Sequence, residues 1–421
     1  MNRNKFEFCT NPNCRINAPD DYEGDRRTKL TGENVLYKCE QAGQKTHYFY
    51  APKRFTKKWA KKVKSPMPGC GKVKIDADTV YCPNCGKPVH LDRDIVRVAV
   101  AGPTNCGKTV YLTVLNELLT WAEPKRLEFE REEETTAFLF RNGRDEETGD
   151  LVKLLPDGTQ VGMVPYMQYN VRGSNNLHHL HKKKSVKKVK EESAPRRRIM
   201  NRSVDLFLYD VAGEWFSGKQ RQNDDRNIKI AHLFNADLIL FMIDCEQIIE
   251  DDQAIPQKQN KMGMHEYRKA IKDIIQELET KNKKNYKIAF CFLAIDILKN
   301  ATVAKYKPIV ESFDQGNSNY KFYDDQKVSF NHTGFLDMED KIWSLFKDGL
   351  LKGIDCSKSE YGIFAISSLG DDGEIRDAVD SSGTGKYVIG KYIPSFDPVN
   401  CWGVSDPIMW YLSEEGYIGK H

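Results

Sequence analysis

Residues 95–109 read IVRVAVAGPTNCGKT. Six of the first seven, all but Arg97, are apolar and the run is rich in β-branched side chains, which suits a short strand buried in a parallel sheet. The last eight satisfy G-x-x-x-x-G-K-[ST] at Gly102, Gly107, Lys108 and Thr109. Behind them TVYLTVLNELLTW (109–121) carries Val110, Leu112, Val114, Leu115, Leu118 and Leu119, dense enough for a helix buried on most sides. Strand, glycine loop and helix in that order aim backbone N–H groups and a positive helix end at one point. The expectation is a phosphate-binding loop formed by Gly102, Pro103, Thr104, Asn105, Cys106, Gly107, Lys108, Thr109 and Val110. Lys108 would neutralise the outer phosphates, and the Thr109 hydroxyl would ligate magnesium. A merely structural glycine turn is the alternative.

A second apolar run, VDLFLYDVAG (204–213), ends in Asp210 with Gly213 three positions on. A carboxylate at a strand end can hold the water shell of magnesium, and the Gly213 amide can sense a terminal phosphate. This D-x-x-G spacing fits a GTPase switch better than a motor or helicase ATPase, where a second acid follows the aspartate directly. Glu214 stands where a side chain would orient the attacking water. Thr159, in LLPDGTQVGMVPYMQYNVRG (154–173), either closes over the metal or belongs to a turn set by Pro156, Asp157 and Gly158. Lys108, Glu214 and Thr159 are the candidate catalytic residues.

Three more apolar runs follow: ADLILFMID (236–244), YKIAFCFLAID (286–296) and YGIFAIS (361–367). MHEYRKAIKDIIQELETK (264–281) has helical apolar spacing. Alternation of strand and helix implies an α/β fold, with a mostly parallel sheet, helices on both faces and the ligand at the strand carboxyl ends. The charged stretch from Glu123 to Pro156 reads as a helical insertion.

GPTNCGKTVYL, DVAG, a strand ending LAID and a late ISSLG resemble the signature motifs of translation-factor-related and Ras-like P-loop GTPases. With a cysteine-rich N-terminus and the closing GVSDPIMWYL, the chain more narrowly resembles the bacterial double-GTPase families linked to conflict systems, over residues 95–412. The resemblance implies GTP as ligand, magnesium as cofactor and a regulatory switch as function. It also implies that Asp296 reads the guanine and that Ser367 lies in the final base-side loop. Leu293 and Ala294 replace the polar residue and the lysine of the family pattern, so the lysine stem that packs beside the base is missing. Asp296 as a plain strand-end turn residue, and ATP as the nucleotide, stay open.

The chain has 421 residues, a net charge of +4 and eleven cysteines, six of them before residue 90. That clustering, without an apolar leader in MNRNKFEFCTNPNC, points to a reducing, cytoplasmic setting and to metal ligation rather than disulfides. No apolar stretch is long enough to span a bilayer. Cys82 and Cys85 in YCPNCGKPVH form a zinc knuckle, and Cys9 and Cys14 are the preferred second pair. Cys39 and Cys70 are alternative or additional ligands, and His47 or His90 could complete a second site. The zinc would be structural. The expected organisation is a zinc-ribbon-like unit over 1–94 and a P-loop domain over 95–421, with insertions near 123–156, 174–200 and 297–358.

Two basic runs, residues 52–64 and 178–198, read as solvated loops or as surfaces for nucleic acid or a protein partner. Sheet polarity places the second run, and with it the zinc unit, at the end opposite the nucleotide. The readings to weigh are therefore a GTPase switch, a P-loop ATPase, or a non-hydrolysing zinc-containing adaptor.

Overall fold

The computed structural model of the chain describes residues 9, 11, 14, 36–39, 47–50, 63–64, 72–73, 79–90, 93–104, 106–121, 127–131, 166–173, 203–211, 213, 231–249, 252, 262–281, 286–314, 322–324, 328–354, 359–368, 373–379, 387–394 and 401–420. The N-terminal part holds β1 (Leu36–Cys39), β2 (His47–Tyr50), β3 (Val63–Lys64), β4 (Lys72–Val73), β5 (Thr79–Tyr81) and β6 (Pro88–His90). Four of these make an antiparallel sheet in the order β2-β1-β5-β6, and β3 pairs with β4.

The main sheet begins with β7 (Asp94–Ala101), followed by α1 (Lys108–Trp121), β8 (Leu127–Arg131), β9 (Tyr166–Gly173) and β10 (Val204–Asp210). Then come α2 (Ala231–Phe234), β11 (Leu238–Asp244), α3 (Cys245–Ile248), α4 (Met264–Lys281) and β12 (Lys287–Leu293). Beyond β12 lie α5 (Lys307–Asp314), β13 (Tyr323–Asp324), β14 (Ser329–Phe330), α6 (His332–Phe346) and β15 (Glu360–Ile366). The chain ends with β16 (Gly373–Val379), β17 (Tyr387–Pro394), α7 (Asp406–Glu414) and β18 (Gly419–Lys420).

Seven strands form one sheet in the order β15-β12-β11-β7-β10-β9-β8. The first five run parallel, and β9 and β8 complete the sheet in antiparallel register. This is the mixed α/β, P-loop arrangement that the strand–loop–helix spacing implied. Every residue of β10 and β11 is buried, which explains why both read as unbroken apolar runs rather than alternating ones. After β10 the chain crosses β7 to reach β11. The switch point of the sheet therefore lies at the carboxyl end of β7, where the glycine loop begins.

Packing on the two faces fixes the loops at that end. On one face, Tyr169 of β9 donates its hydroxyl to Asn116 Oδ1 of α1 at 2.8 Å, and Phe364 of β15 meets Trp410 of α7 edge-on. On the other, Phe292 of β12 stacks on Phe346 of α6 with ring centroids 4.6 Å apart. Asn331 caps α6 by accepting from the Gly334 amide at 3.0 Å. Residues 295–354 make up most of the crossover from β12 to β15, and α6 packs along the sheet edge.

Two features differ from the sequence reading. Residues 127–131, expected in a helical insertion, form edge strand β8, in which Leu127 and Phe129 turn inward and Glu128 and Glu130 turn toward Arg172. Period-two burial outweighed the local charge density. Residues 373–394 contain a β16–β17 hairpin absent from that reading, although turn-rich DSSGTGK (380–386) between two β-prone runs signals one. Among the described residues no helix is long and apolar enough to cross a membrane.

Candidate functional site

The glycine loop closes around its own lysine. Lys108, buried at the first position of α1, donates from Nζ to the carbonyls of Gly102 at 2.9 Å and Pro103 at 2.7 Å. An ammonium group has three donors, so the remaining direction serves the loop interior, where Cys106 Sγ stands 3.9 Å away. Gly107 has φ of 91°, a conformation costly for any side chain, and the Tyr111 amide starts the helix by bonding its carbonyl at 2.9 Å. A Cβ on Gly102 would lie 2.7 Å from Cys106 Sγ and 2.8 Å from the Met242 carbonyl, so the loop entry has no room for one. Burial pushes the Cys106 thiol up; Lys108 opposes this, while Asp244 and Asp210 add to it. Cys106 is a neutral space-filling thiol.

The second motif meets the first directly. Asp210 ends β10 beside Val100 of β7, and the Val211 amide donates to the Val100 carbonyl at 2.9 Å. The carboxylate is buried and acts electrostatically on Cys106 inside the loop. Gly213 packs backbone to backbone against the loop: a Cβ there would lie 2.3 Å from Thr104 N and 2.6 Å from Pro103 C. Thr104 is exposed, and Thr109 and Val110 are half-buried at the start of α1. Loop, lysine and switch strand therefore converge on one point. Asn105, Thr159 and Glu214 lie outside the described residues.

The two residues expected on the base side, Asp296 and Ser367, follow the carboxyl ends of β12 and β15. Ala294 adopts a left-handed conformation (φ 53°), strained for a residue with a side chain, and starts the 3-10 turn Ile295–Asn300 that contains Asp296. Leu293 stands where the pattern has a polar residue. Its Cδ1 comes within 3.4 Å of where a Cβ of Gly107 would be, so apolar contact joins this turn to the phosphate loop. Ser367, next after β15, is fully buried, and its hydroxyl finds no hydrogen-bond partner among the described residues.

Supporting residues come from elsewhere in the chain. Asp252 accepts from the Thr302 amide and hydroxyl and from the Val303 amide, at 2.6–3.0 Å, and so clamps the exit of the base-side turn. Asp244 caps α3 through the Glu246 amide and receives Gln247 Nε2, both at 3.0 Å. Tyr111 donates its buried hydroxyl to the Val404 carbonyl at 2.9 Å, tying α1 to the segment before α7. The sequence reading missed all three. Asp244 carried the same signal as Asp210, a carboxylate ending an apolar run; Asp252 and Tyr111 carried none.

A separate cluster stands in the N-terminal part. The sulfurs of Cys9, Cys14, Cys82 and Cys85 all lie within 4.8 Å of one another, with Cys9–Cys85 at 3.3 Å and Cys14–Cys82 at 3.7 Å. Four sulfurs about 2.3 Å from one ion would be about 3.8 Å apart, so the donor set fits tetrahedral zinc in both spacing and chemistry. The Asn11 amide and Asn84 Nδ2 reach the sulfurs of Cys9 and Cys14 at 3.4 and 3.3 Å, as partners for thiolates would. Gly86, at φ 72°, turns the knuckle so that its amide bonds the Cys82 carbonyl at 2.8 Å. Cys70 and the side chains of Cys39 and His47 lie outside the described residues; His90 Nδ1 pairs with the Thr79 hydroxyl at 3.2 Å.

Toward the main sheet, the cluster faces a group of aromatic side chains. Tyr166, Phe207 and Tyr209 form a buried aromatic group on β9 and β10. Burial raises the Tyr166 and Tyr209 hydroxyls, and the cysteine sulfurs add to this, Cys85 and Cys9 at Tyr166 and Cys9 at Tyr209. The basic run 178–198 lies outside the described residues, as do most residues of the run 52–64.

Comparison with known proteins followed from this geometry. Residues 193–347 match the model of a family described as Double-GTPase 2. Among solved structures, the G domain of the T. maritima FeoB iron transporter is 14% identical, covering 65% of this chain and 89% of that one, at a TM-score of 0.21. The signal recognition particle receptor SRb-GTP/SRX complex from Chaetomium thermophilum is 10% identical, covering 66% of this chain and 92% of that one, at 0.31. At such scores the strand order above, not the superposition, carries the fold. No curated protein matches the chain. The chain thus has a P-loop α/β sheet, three of whose strands, β10, β11 and β12, lie in the segment, residues 193–347, that is similar to the Double-GTPase 2 family.

Proposed function

We propose that the chain is a magnesium-dependent, GTP-binding regulatory switch that hydrolyses its nucleotide. The observation that carries this reading is the backbone contact of Gly213 with Thr104, which sets the D-x-x-G motif against the lysine-closed loop. Loop amides and the Lys108 ammonium bind the phosphates by charge-assisted hydrogen bonds. Thr109 and Asp210 offer hydroxyl and carboxylate oxygens, the hard donors magnesium takes. Magnesium, when bound, neutralises charge on the outer phosphate oxygens. Asp296 accepts from the guanine N1–H and 2-amino group, and Ser367 lines the same end. Glu214 orients the attacking water and Thr159 closes over the terminal phosphate. Cys9, Cys14, Cys82 and Cys85 hold a structural zinc that staples the N-terminal unit. A cytoplasmic role in bacterial conflict, with a protein or nucleic-acid partner at the basic runs, is the wider context of this reading.

Calorimetric titration of purified protein with GTP, GDP and ATP, with and without magnesium, tests it. Guanine nucleotides should bind only with Lys108 intact, and Lys108→Ala should weaken them at least about 100-fold, given what unpaired phosphate charge costs. Thr109→Ala should retain the fold and lose the magnesium dependence. Equal binding by Lys108→Ala would remove the assignment, and tighter ATP than GTP would make the site one for ATP, with phosphate release then deciding hydrolysis.

A further inference from the structure

Ser367 does not end its strand alone. It pairs with Trp402 in an antiparallel bridge, the Ser367 amide bonding the Trp402 carbonyl at 3.0 Å and the Trp402 amide returning the bond at 3.1 Å. Directly opposed residues in such a pair project their side chains from the same face. The indole of Trp402 is therefore the neighbour of the buried Ser367 hydroxyl.

The surrounding chain fixes this placement. Cys401 donates its thiol to the Ser368 carbonyl at 2.9 Å. Gly403 turns with φ of 70°, so close that a Cβ would lie 2.1 Å from the Ala365 carbonyl. Val404 then receives the Tyr111 hydroxyl from the first turns of the phosphate-loop helix. Residues 401–404 thus run from the end of β15 to the root of α1. Trp402 is only half-buried, packed on the core yet still exposing part of its ring. At the end of the neighbouring strand β12, Ala294 offers one carbon where the family pattern has a lysine stem.

We propose that Trp402 is a purine-facing residue of this site, its indole supplying the flat apolar surface that Ala294 lacks. The inference rests on the nucleotide-binding reading above and deepens it. An aromatic ring stacks on any purine, so Trp402 supplies affinity while discrimination between bases falls to Asp296. Ser367, held beside the ring, offers its hydroxyl to the base. Along the chain, the β16–β17 hairpin lies between Ser367 and Trp402.

The test compares GDP with inorganic tripolyphosphate, which has the phosphates and no base, on wild type, Trp402→Phe and Trp402→Ala. Trp402→Ala should lose about tenfold in GDP affinity, within the range for removing one stacking ring, and bind tripolyphosphate as wild type does. Trp402→Phe should retain most GDP affinity. GDP should also quench tryptophan emission in wild type more than in Trp402→Phe. Unchanged GDP binding by Trp402→Ala, or an equal loss for tripolyphosphate, would overturn the proposal, the latter by making the ring a structural prop. Failure of wild type to bind GDP at all would instead strike the nucleotide reading.

Discussion

Gly213→Ala puts the proposed convergence under direct strain. The added Cβ would sit 2.3 Å from Thr104 N, 2.5 Å from Thr104 Cα and 2.6 Å from Pro103 C, all backbone atoms that no rotamer change can move. Restoring an ordinary contact of 3.4 Å requires 3.4 − 2.3, about 1.1 Å of separation between the switch strand's exit and the phosphate loop. Lys108 holds the Gly102 and Pro103 carbonyls on one side, and the Val211 amide holds Val100 on the other, so the displacement is shared by two anchored segments. Overpacking of this kind costs about 2 kcal/mol, a few degrees of Tm for a chain this long. Thermal unfolding of nucleotide-free protein measures the loss, and titration with GTP and GDP measures its consequence at the site. The expected result is a lower Tm, with GTP affinity falling more than GDP affinity, because the terminal phosphate is the group the Gly213 amide would meet. Wild-type Tm together with wild-type GTP affinity would mean that the two loops are not in contact, and the reasoning would fail.

Glu339 accepts from the Ile363 amide of edge strand β15 at 3.1 Å. Burial, only partly offset by that amide and reinforced by Asp340, pushes its carboxyl up to about 7. A raised folded-state value means the neutral form is favoured, so its stabilisation is complete below about pH 4.5 and is lost as pH rises through 7. Glu339→Gln, which keeps an acceptor and carries no charge, should match wild type near pH 4.5. At pH 8 it should exceed wild type by about 1–2 kcal/mol, after discounting for solvent at the exposed part of the side chain. Denaturant unfolding at both values decides it, and equal stability at pH 8 would count against the buried charge. Elemental analysis should find one zinc per chain, released by a strong chelator and absent from a Cys14→Ser, Cys82→Ser double variant. Full zinc occupancy in that variant would shift the ligand set toward Cys39 and Cys70.

The legible parts of this site are those whose requirements are local. A phosphate loop needs glycine where φ is positive or where no Cβ fits, and Gly107 and Gly102 meet those needs within six residues of each other. Asp210 is legible because a fully buried strand leaves an uninterrupted apolar run, and its end is plain. The knuckle of Cys82 and Cys85 is local too, since Gly86 makes the turn. Choosing Cys9 and Cys14 over Cys39 and Cys70 as the second pair is not, because spacing along the chain says nothing about which hairpin folds back over 60 residues later. Asp252 clamps residues 50 positions away, and Trp402 pairs across 35 with a hairpin in between; neither sits in a pattern that announces it. The charged residues around β8 misled for a related reason. Propensity there is weak, and the deciding interaction is the burial of Leu127 and Phe129 beside Tyr169 and α1. What binds phosphate was thus written in the backbone needs of a short segment. What supports the turn after β12 and the end of β15 is distributed over tertiary contacts, and the proposed base side is where the sequence departs from the family pattern, with Leu293 and Ala294 in place of its polar residue and lysine.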